Sequence, residues 1–448
     1  MATAPQPYRT TPEATAGMPT GIPFIIGNEL AERYSFYGMK GLLVVFMTKF
    51  LLDANGARAP MTEPEAIETY HQFTAAVYAT PFLGALLSDI WFGKYKTILS
   101  VSLLYCIGHL ALALDETRTG LMIGLFCIAF GAGGIKPCVS AHVGDQFGAQ
   151  NQHLLERAYG WFYFSINLGA FASMLIGPIL LHKVGPWLAF GVPGVLMAVA
   201  TLAFYAGRHR FAHVPPAGKQ FTRDVLSKQG LAIVLKLAPL VLFIAMFWAL
   251  FDQTGSSWVI QGQKLDTNVL GIELYAEQLQ AANPIFVMVM IPLFSYAVYP
   301  AISRVFPLTP LRKIGLGFFI MVFAFLITAW IETQLAAGHK PSIMWQIPAY
   351  FILTAAEVMV SITGLELFYT QAPNRMKSFI MSLYMAAVTI GNLFTSWVNG
   401  AIQNPDGTSS LTGADYFLFF AAAMLATAVV FVLYAVRYRE QRFVQGEG

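Results

Sequence analysis

Residues 416–436 read YFLFFAAAMLATAVVFVLYAV and contain no charged side chain. A helix of about 20 apolar residues spans the hydrocarbon core of a bilayer, and runs of this kind recur along the whole chain. Over the 448 residues, 56% are apolar and 11% are charged, against roughly 25% charged in a soluble domain. The sequence therefore predicts an all-α polytopic membrane protein. A transmembrane β-barrel needs alternating segments of about ten residues, and these are not found.

The apolar runs predict twelve spans, divided six and six by the longest polar connection, which contains Pro215 and Pro216. The predicted organisation is a disordered cytoplasmic tail (1–20), an N-terminal six-helix bundle (21–207), a cytoplasmic linker (208–229), a C-terminal six-helix bundle (230–437) and a second cytoplasmic tail (438–448). The first 20 residues lack the apolar core of a secretory signal. No connection is long enough for a catalytic domain, so the function is expected within the bundle.

The distribution of Lys and Arg predicts the orientation. An even number of spans puts both termini on one side, and 17 of the 27 basic residues fall on that side and six on the other. Basic residues concentrate in cytoplasmic loops, so both termini are predicted to be cytoplasmic.

The first span carries four ionisable residues. At 100° per residue, Glu29, Glu32, Arg33, Tyr37 and Lys40 share an arc of about 140°. Ionisable groups at bilayer depth cost at least about 2.5 kcal/mol on insertion scales, so they are functional candidates. The simpler alternative is a set of ion pairs that fixes helix packing, since Glu29 and Arg33 are four residues apart.

Other polar residues interrupt the next apolar runs. His71 and Tyr78 share a face of the second span, although His71 could equally be a hydrogen-bonded interface residue. Lys136 follows a glycine-rich segment and needs a carboxylate partner, which the first span offers. Pro137 is expected to break the helix beside it.

In the second half, Trp248 and Asp252 are four residues apart on span seven. Glu357 and Glu366 are nine apart on span ten, and an ideal helix puts them on opposite faces. Asn167 and Asn283 are candidates that could instead simply bond neighbouring helices. Basic residues in the first half and acidic residues in the second fit a zwitterionic ligand. Lys40 and Asp252 are the first candidates for a gating ion pair.

Several ordered motifs resemble one transporter family. Gly84-Ala-Leu-Leu-Ser-Asp89-Ile-Trp-Phe-Gly93-Lys94 resembles the loop after span two in the major facilitator superfamily. Tyr159-Gly-Trp-Phe-Tyr163-Phe-Ser-Ile-Asn167-Leu-Gly169-Ala-Phe171 and Glu29-Leu-Ala-Glu32-Arg33 resemble a signature and the E-x-x-E-R motif of the proton-coupled oligopeptide transporters. The resemblance runs from span one to span twelve.

The resemblance implies a major facilitator fold of two six-helix bundles and import of di- and tripeptides by proton symport, not enzymatic activity. It implies no cofactor beyond the proton gradient, no nucleic-acid partner, and a monomer in a bilayer, most simply the bacterial inner membrane. The implied proton-coupling residues are Glu29, Glu32, Arg33, His71, Asp252 and Glu366. The implied substrate-binding residues are Arg33, Tyr37, Lys40 and Lys136 for the carboxylate, Asn167, Asn283 and Glu366 for the amino terminus, and Tyr78, Tyr163 and Trp248 for side chains.

The sequence departs from the family pattern at a few positions. Lys40 stands where a second arginine is usual, which removes the fork geometry of a guanidinium. Asp252 is one methylene shorter than the glutamate of many bacterial members. The connection between spans six and seven is too short for two extra helices.

Two alternatives stay open at this point. A relative of the same superfamily could carry another small anion or a drug-like solute. An intramembrane hydrolase would need an activated nucleophile with its base, or a metal motif such as H-E-x-x-H. The histidines are scattered without such spacing, and no repeated filter segment indicates a channel.

Overall fold

The computed structural model describes residues 8–216, 227–371 and 377–438. Its α-helices are α1 Ile22–Val45, α2 Glu63–Leu86, α3 Lys94–Leu114, α4 Arg118–Gly144, α5 Leu155–Lys183, α6 Pro186–Ala206, α7 Lys228–Phe251, α8 Ser257–Gln263, α9 Ala282–Leu293, α10 Tyr299–Ser303, α11 Pro310–Ala336, α12 Gln346–Glu357, α13 Thr363–Thr370, α14 Lys377–Ile402 and α15 Ala414–Arg437. A two-residue antiparallel hairpin, β1 Asn268–Val269 and β2 Ile272–Glu273, lies between α8 and α9.

In the described parts of the chain, π-helical segments continue α-helices without a break at Phe46–Phe50, Leu87–Phe92, Phe294–Val298 and Val358–Ile362. Further 3₁₀ segments there begin or extend other helices, at Gln152–Leu154, Gly207–His209, Asp252–Gly255, Ala276–Ala281 and Ile343–Trp345. Each π segment adds one residue to a turn, and such bulges are frequent at functional sites.

Within the described residues, eleven helical stretches are long and apolar enough to cross a membrane. The first predicted span is helical too, and its ionisable residues set it apart from those eleven. Side chains cap the starts of some of these helices. The side chain of Thr117 accepts from two backbone amides at the start of α4, and Thr309 accepts from Arg312 N before Pro310 at the start of α11. The prediction of a polytopic α-helical membrane protein is confirmed.

Pro137 does not break its helix, contrary to the prediction. α4 runs continuously from Arg118 to Gly144 through this residue. A proline removes one backbone hydrogen bond, and membrane helices tolerate this because neighbouring helices and local adjustment satisfy the released carbonyl.

The described chain forms two compact units, and their boundaries differ from the predicted bundles. Unit 1 contains the described residues 8–40, 52–57 and 76–216, and unit 2 contains the described residues 41–51, 58–75, 227–371 and 377–438. The end of α1 and the start of α2 thus belong to unit 2, because side chains tie them to it. Lys264 Nζ lies 2.9 Å from Glu63 Oε2, and Gln280 Nε2 donates to Gly41 O at 3.1 Å.

Glycines set the closest helix contacts of unit 1. A Cβ on Gly84 would lie 2.7 Å from Gly134 Cα, so α2 and α4 touch through their backbones. A Cβ on Gly169 would lie 2.6 Å from Leu30 O, which brings α5 against α1. Small residues of this kind let membrane helices approach closely.

The expected disorder of residues 1–20 does not hold for residues 8–20. Arg9 O accepts from His213 N at 2.7 Å, and the ring of Tyr8 stacks on that of His213 with centroids 4.3 Å apart. The ring contact and the backbone hydrogen bond hold this segment in place, although its sequence has no apolar periodicity. The rest of the predicted tails and linker, residues 1–7, 217–226 and 439–448, lies outside the described residues, as do the basic residues Lys219, Arg223, Arg375, Arg439 and Arg442.

Candidate functional site

The charged stripe of α1 forms one ion-pair cluster in unit 1. Nε of Arg33 lies 2.7 Å from Oε1 of Glu29 and 2.9 Å from Oε2 of Glu32. The three residues are 7%, 1% and 0% exposed, respectively. One guanidinium therefore holds two buried carboxylates. The four-residue spacing predicts the pair with Glu29, whereas Glu32 is the direct neighbour of Arg33 in the sequence.

The cluster keeps unused hydrogen-bonding capacity. Oε2 of Glu29 and Oε1 of Glu32 are buried and have no hydrogen-bond partner among the described residues. A buried polar atom without a partner is costly, and a proton or a ligand group would remove that cost.

Lys136 lies beside this cluster. Its Nζ is 4.2 Å from the ring centroids of both Phe36 and Tyr78. Gly133 makes this placement possible, because a Cβ there would overlap the hydroxyl of Thr80 on α2. The ammonium also interacts electrostatically with Glu32. A direct ion pair between Lys136 and a carboxylate stays a prediction.

Other unit 1 residues take different positions. Lys40 is buried at 8% exposure, Tyr37 is partly buried, and Tyr163 is 44% exposed. Asn167 Nδ2 donates to Tyr163 O in its own helix at 2.9 Å, so it does not bond a neighbouring helix through this group.

The motif from Gly84 to Lys94 ends in a specific ion pair. Gly93 has φ +75°, a conformation that favours glycine. Lys94 follows it at the start of α3, and its Nζ lies 2.9 and 2.7 Å from the two carboxylate oxygens of Asp145. The motif therefore fixes the start of α3 against the end of α4.

In unit 2, His71 and Asp252 are joined through a residue that the sequence analysis did not identify. His71 Nδ1 lies 2.7 Å from Asn392 Oδ1, and Asn392 Nδ2 donates to Asp252 Oδ2 at 2.8 Å. Nε2 of His71 lies 2.9 Å from the hydroxyl of Ser256. All four residues are buried. An asparagine inside the apolar run of α14 was the available signal for Asn392.

Asn283 bonds Glu357. Its Nδ2 donates to Glu357 Oε2 at 2.7 Å and to Thr354 Oγ1 at 3.1 Å. It thus joins α9 to α12, as the simpler interpretation of a membrane asparagine predicts.

The side chain of Glu366, on α13, is exposed.

The helix between Glu357 and Glu366 departs from the ideal geometry on which their predicted opposite orientation rests. The π-helical segment Val358–Ile362 lies between them. One extra residue in a turn rotates the downstream part of the helix by about 100°, which reduces a separation of 180° to about 80°. A count of 100° per residue along the sequence assumes an ideal helix and does not take such a bulge into account.

Trp248 is partly buried in an aromatic group on α7. Its ring centroid lies 5.5 Å from that of Phe247 and 5.1 Å from that of Phe251, both edge to face. An aromatic surface of this kind can pack against apolar side chains of different shapes.

The model of the POT family, PTR2, matches residues 95–229 and 223–416. Peptide transporter family 1 of Drosophila melanogaster is 35% identical over 367 residues, covering 71% of this chain and 48% of that protein. Solute carrier family 15 member 2 of Homo sapiens is 34% identical over 400 residues, covering 78% and 54%. The chain spans about half the length of the curated relatives it matches.

Solved structures match nearly end to end. An auto-inhibited POT family peptide transporter is 34% identical with a TM-score of 0.84, covering 96% of this chain and 99% of that one. A proton-dependent oligopeptide (POT) family transporter is 35% identical with a TM-score of 0.78, covering 92% and 100%. The chain therefore belongs to the POT family and has the major facilitator fold that the sequence motifs predict.

Proposed function

We propose that this protein imports di- and tripeptides by symport with protons, through alternating access. The relatives named as peptide transporters support the substrate class. The observation that carries the proposal is the buried cluster in which Arg33 holds Glu29 and Glu32.

Charge balance links the peptide to the proton. Glu29, Glu32, Arg33 and Lys136 together carry no net formal charge. A peptide carboxylate bound by Arg33 and Lys136 adds one negative charge to a site of low dielectric, and this is costly unless it is compensated. A proton on Glu29 or Glu32 restores neutrality. Peptide carboxylate and proton then bind most favourably together.

We assign the amino terminus and the side chains of the peptide to acidic, neutral and aromatic residues. We assign the amino terminus to Glu366 with Asn167 and Asn283, and side chains to Tyr78, Tyr163 and Trp248. Tyr37 is assigned to the carboxylate together with Arg33 and Lys136. Lys40 is a further cation for the carboxylate. His71 and Asp252, joined through Asn392, are assigned to proton transfer. Charged groups for the two ends of the peptide and aromatic rings for its side chains suit a carrier that accepts many sequences.

We further propose that the protein acts as a monomer in the bacterial inner membrane with both termini in the cytoplasm. The excess of basic residues on the terminal side supports this orientation. Labelling of single cysteines placed near either terminus, in intact and opened cells, tests it.

Uptake into liposomes containing the purified protein tests the function. Labelled dialanine should accumulate under an inward proton gradient, and a protonophore should abolish accumulation while exchange of internal for external peptide continues. Arg33→Ala and empty liposomes are the controls. Equal peptide accumulation with and without the proton gradient would refute proton coupling. Absence of any peptide exchange would refute the substrate class.

A further inference from the structure

A groove opens between the start of α11 and the end of α15, within unit 2. It has a volume of about 790 Å³. Aliphatic and aromatic side chains dominate its lining, among them Phe306, Leu311, Leu316, Phe319, Phe431 and Val432. Gly315 also lines the groove beside Phe431, and a Cβ there would lie in van der Waals contact with that ring at 3.4 Å. The groove suits a hydrocarbon chain.

A cation is held in place at the rim of this groove. Nη1 of Arg312 donates to Pro307 O at 2.7 Å, and its guanidinium lies 4.6 Å from the ring centroid of Phe306. The neighbouring Lys313 has its Nζ 4.3 Å from the ring centroid of Tyr299. One hydrogen bond and one ring contact orient the guanidinium and leave its other N–H groups for an anion.

The two cations lie in a stretch of sequence that is poor in carboxylates. The sequence has no Asp or Glu between Glu277 and Glu332, or between Asp415 and Glu440. Among the residues that the structure describes, Arg312 and Lys313 form no ion pair. Counting only residues with described positions, the rim therefore carries positive charge without a carboxylate partner, at the end of two membrane-spanning helices.

We propose that this groove binds an anionic phospholipid, with its phosphate on Arg312 and an acyl chain along Leu316 and Val432. A basic pocket between membrane helices at the interface is suited to such head groups. A zwitterionic lipid offers the same chains without net negative charge, and inorganic phosphate offers the charge without the chain. A ligand that fills the groove and also binds the guanidinium needs an acyl chain and a negative charge in one molecule.

Native mass spectrometry of the detergent-purified full chain tests the proposal. Phosphatidylglycerol and phosphatidylcholine with identical acyl chains are titrated separately, and inorganic phosphate is titrated as a third probe. One basic residue contributes about fivefold in affinity near an anionic surface. We expect phosphatidylglycerol to bind at least about fivefold more tightly than phosphatidylcholine, and phosphate alone not to bind.

Two variants and two matched controls separate charge from shape. Arg312→Gln should reduce phosphatidylglycerol affinity to that of phosphatidylcholine, and Ala435→Phe should weaken both lipids by filling the groove. Arg208→Gln is the charge control, because Arg208 also donates to a backbone carbonyl, Tyr205 O at 3.0 Å, and stacks on that ring at 4.1 Å, but does not line this groove. Ala426→Phe is the shape control on the exposed face of α15.

The unfolding temperature of each variant without added lipid identifies any that fail to fold. Equal phosphatidylglycerol affinity in Arg312→Gln and in the unchanged protein would overturn the proposal. Equal losses in Arg312→Gln and Arg208→Gln would overturn it too, because the effect would then be general to interfacial arginines. Binding of phosphate as tight as that of the lipid would also overturn it, since the site would then bind anions without using an acyl groove.

Discussion

Nδ1 of His71 lies 2.7 Å from Oδ1 of Asn392, and this contact determines which ring nitrogen carries a proton. The amide of Asn392 is oriented by two acceptors, Asp252 Oδ2 at 2.8 Å and Val388 O at 2.9 Å. Its oxygen therefore faces the imidazole and can only accept. Nδ1 of His71 is the donor, and in the neutral ring Nε2 accepts from the hydroxyl of Ser256.

Asn392→Leu should disconnect His71 from Asp252. Loss of a buried partner costs about 1–3 kcal/mol, so the unfolding temperature in detergent should fall. The pH profile of peptide uptake should shift as well, because the imidazole loses the acceptor that fixes its tautomer. Asn399→Leu is the control: it removes another buried amide of the same helix, which bonds Tyr416 Oη at 3.1 Å. The same pH profile in both variants would assign Asn392 a structural role only.

Glu29→Gln and Glu32→Gln should separate peptide exchange from accumulation. Each removes a carboxylate within 2.9 Å of Arg33 Nε and so removes a proton acceptor. Gradient-driven uptake should fall at least about tenfold, the effect of about 1.4 kcal/mol, while counterflow of labelled peptide remains measurable. Glu156→Gln, at an exposed carboxylate on α5, should behave as the unchanged protein. Normal accumulation by both cluster variants would contradict the coupling model.

Glu366→Gln should weaken ordinary dipeptides by at least about tenfold, because a charge partner of the ammonium is lost. The same change should have little effect on an N-acetylated dipeptide, which has no ammonium. Competition assays with both ligands measure the difference, and Glu357→Gln, whose carboxylate is engaged by Asn283, is the comparison variant. An equal loss for both ligands would mean that Glu366 does not bind the amino terminus.

Gly169→Ala should destabilise the protein by about 1–3 kcal/mol through overpacking. Its Cβ would lie 2.6 Å from Leu30 O and 2.9 Å from Tyr34 N, both backbone atoms that cannot swing away. Gly160→Ala on the same helix has nothing within 4 Å of its Cβ. That variant should be neutral or more stable, because alanine favours the helix over glycine. Thermal unfolding in detergent compares the two, and equal stabilities would contradict the close contact of α5 with α1.

The contact between Tyr8 and His213 should weaken in acid. Burial lowers the pKa of His213 below its ordinary value of 6.5, and nearby cations act in the same direction, while a hydrogen bond to Arg208 O opposes them. The cations are His209, Arg9 and Lys96. A histidine with a depressed pKa stabilises the packed state above its unperturbed pKa, and this contribution decreases as the pH falls below about 6.5.

Hydrogen exchange of residues 8–20, corrected for the intrinsic effect of pH, should therefore show less protection at pH 5.5 than at pH 7.5. His213→Phe keeps a ring against Tyr8 and should make protection independent of pH. Protection that changes equally in His213→Phe would point to another titrating group.

The sequence by itself determined the fold class and the location of the charges. Apolar runs of about 20 residues form helices in a bilayer because no water is present to satisfy an exposed backbone. Helical periodicity also brought Glu29, Glu32 and Arg33 onto one face, since residues three and four apart are neighbours on a helix. Their ion-pair cluster required no knowledge of other elements.

Only the tertiary structure decided the contacts between distant segments. Asn392 lies 321 positions from His71, and no local periodicity relates the two. The π segment at Val358–Ile362 rotates the part of the helix that carries Glu366 relative to an ideal α-helix. Packing against neighbouring helices selects such a bulge, and local sequence propensity does not predict it. The ends of α1 and α2 joined unit 2 for the same reason: the ion pair of Lys264 with Glu63 depends on which surfaces meet, and the sequence pattern of each helix is compatible with several such surfaces.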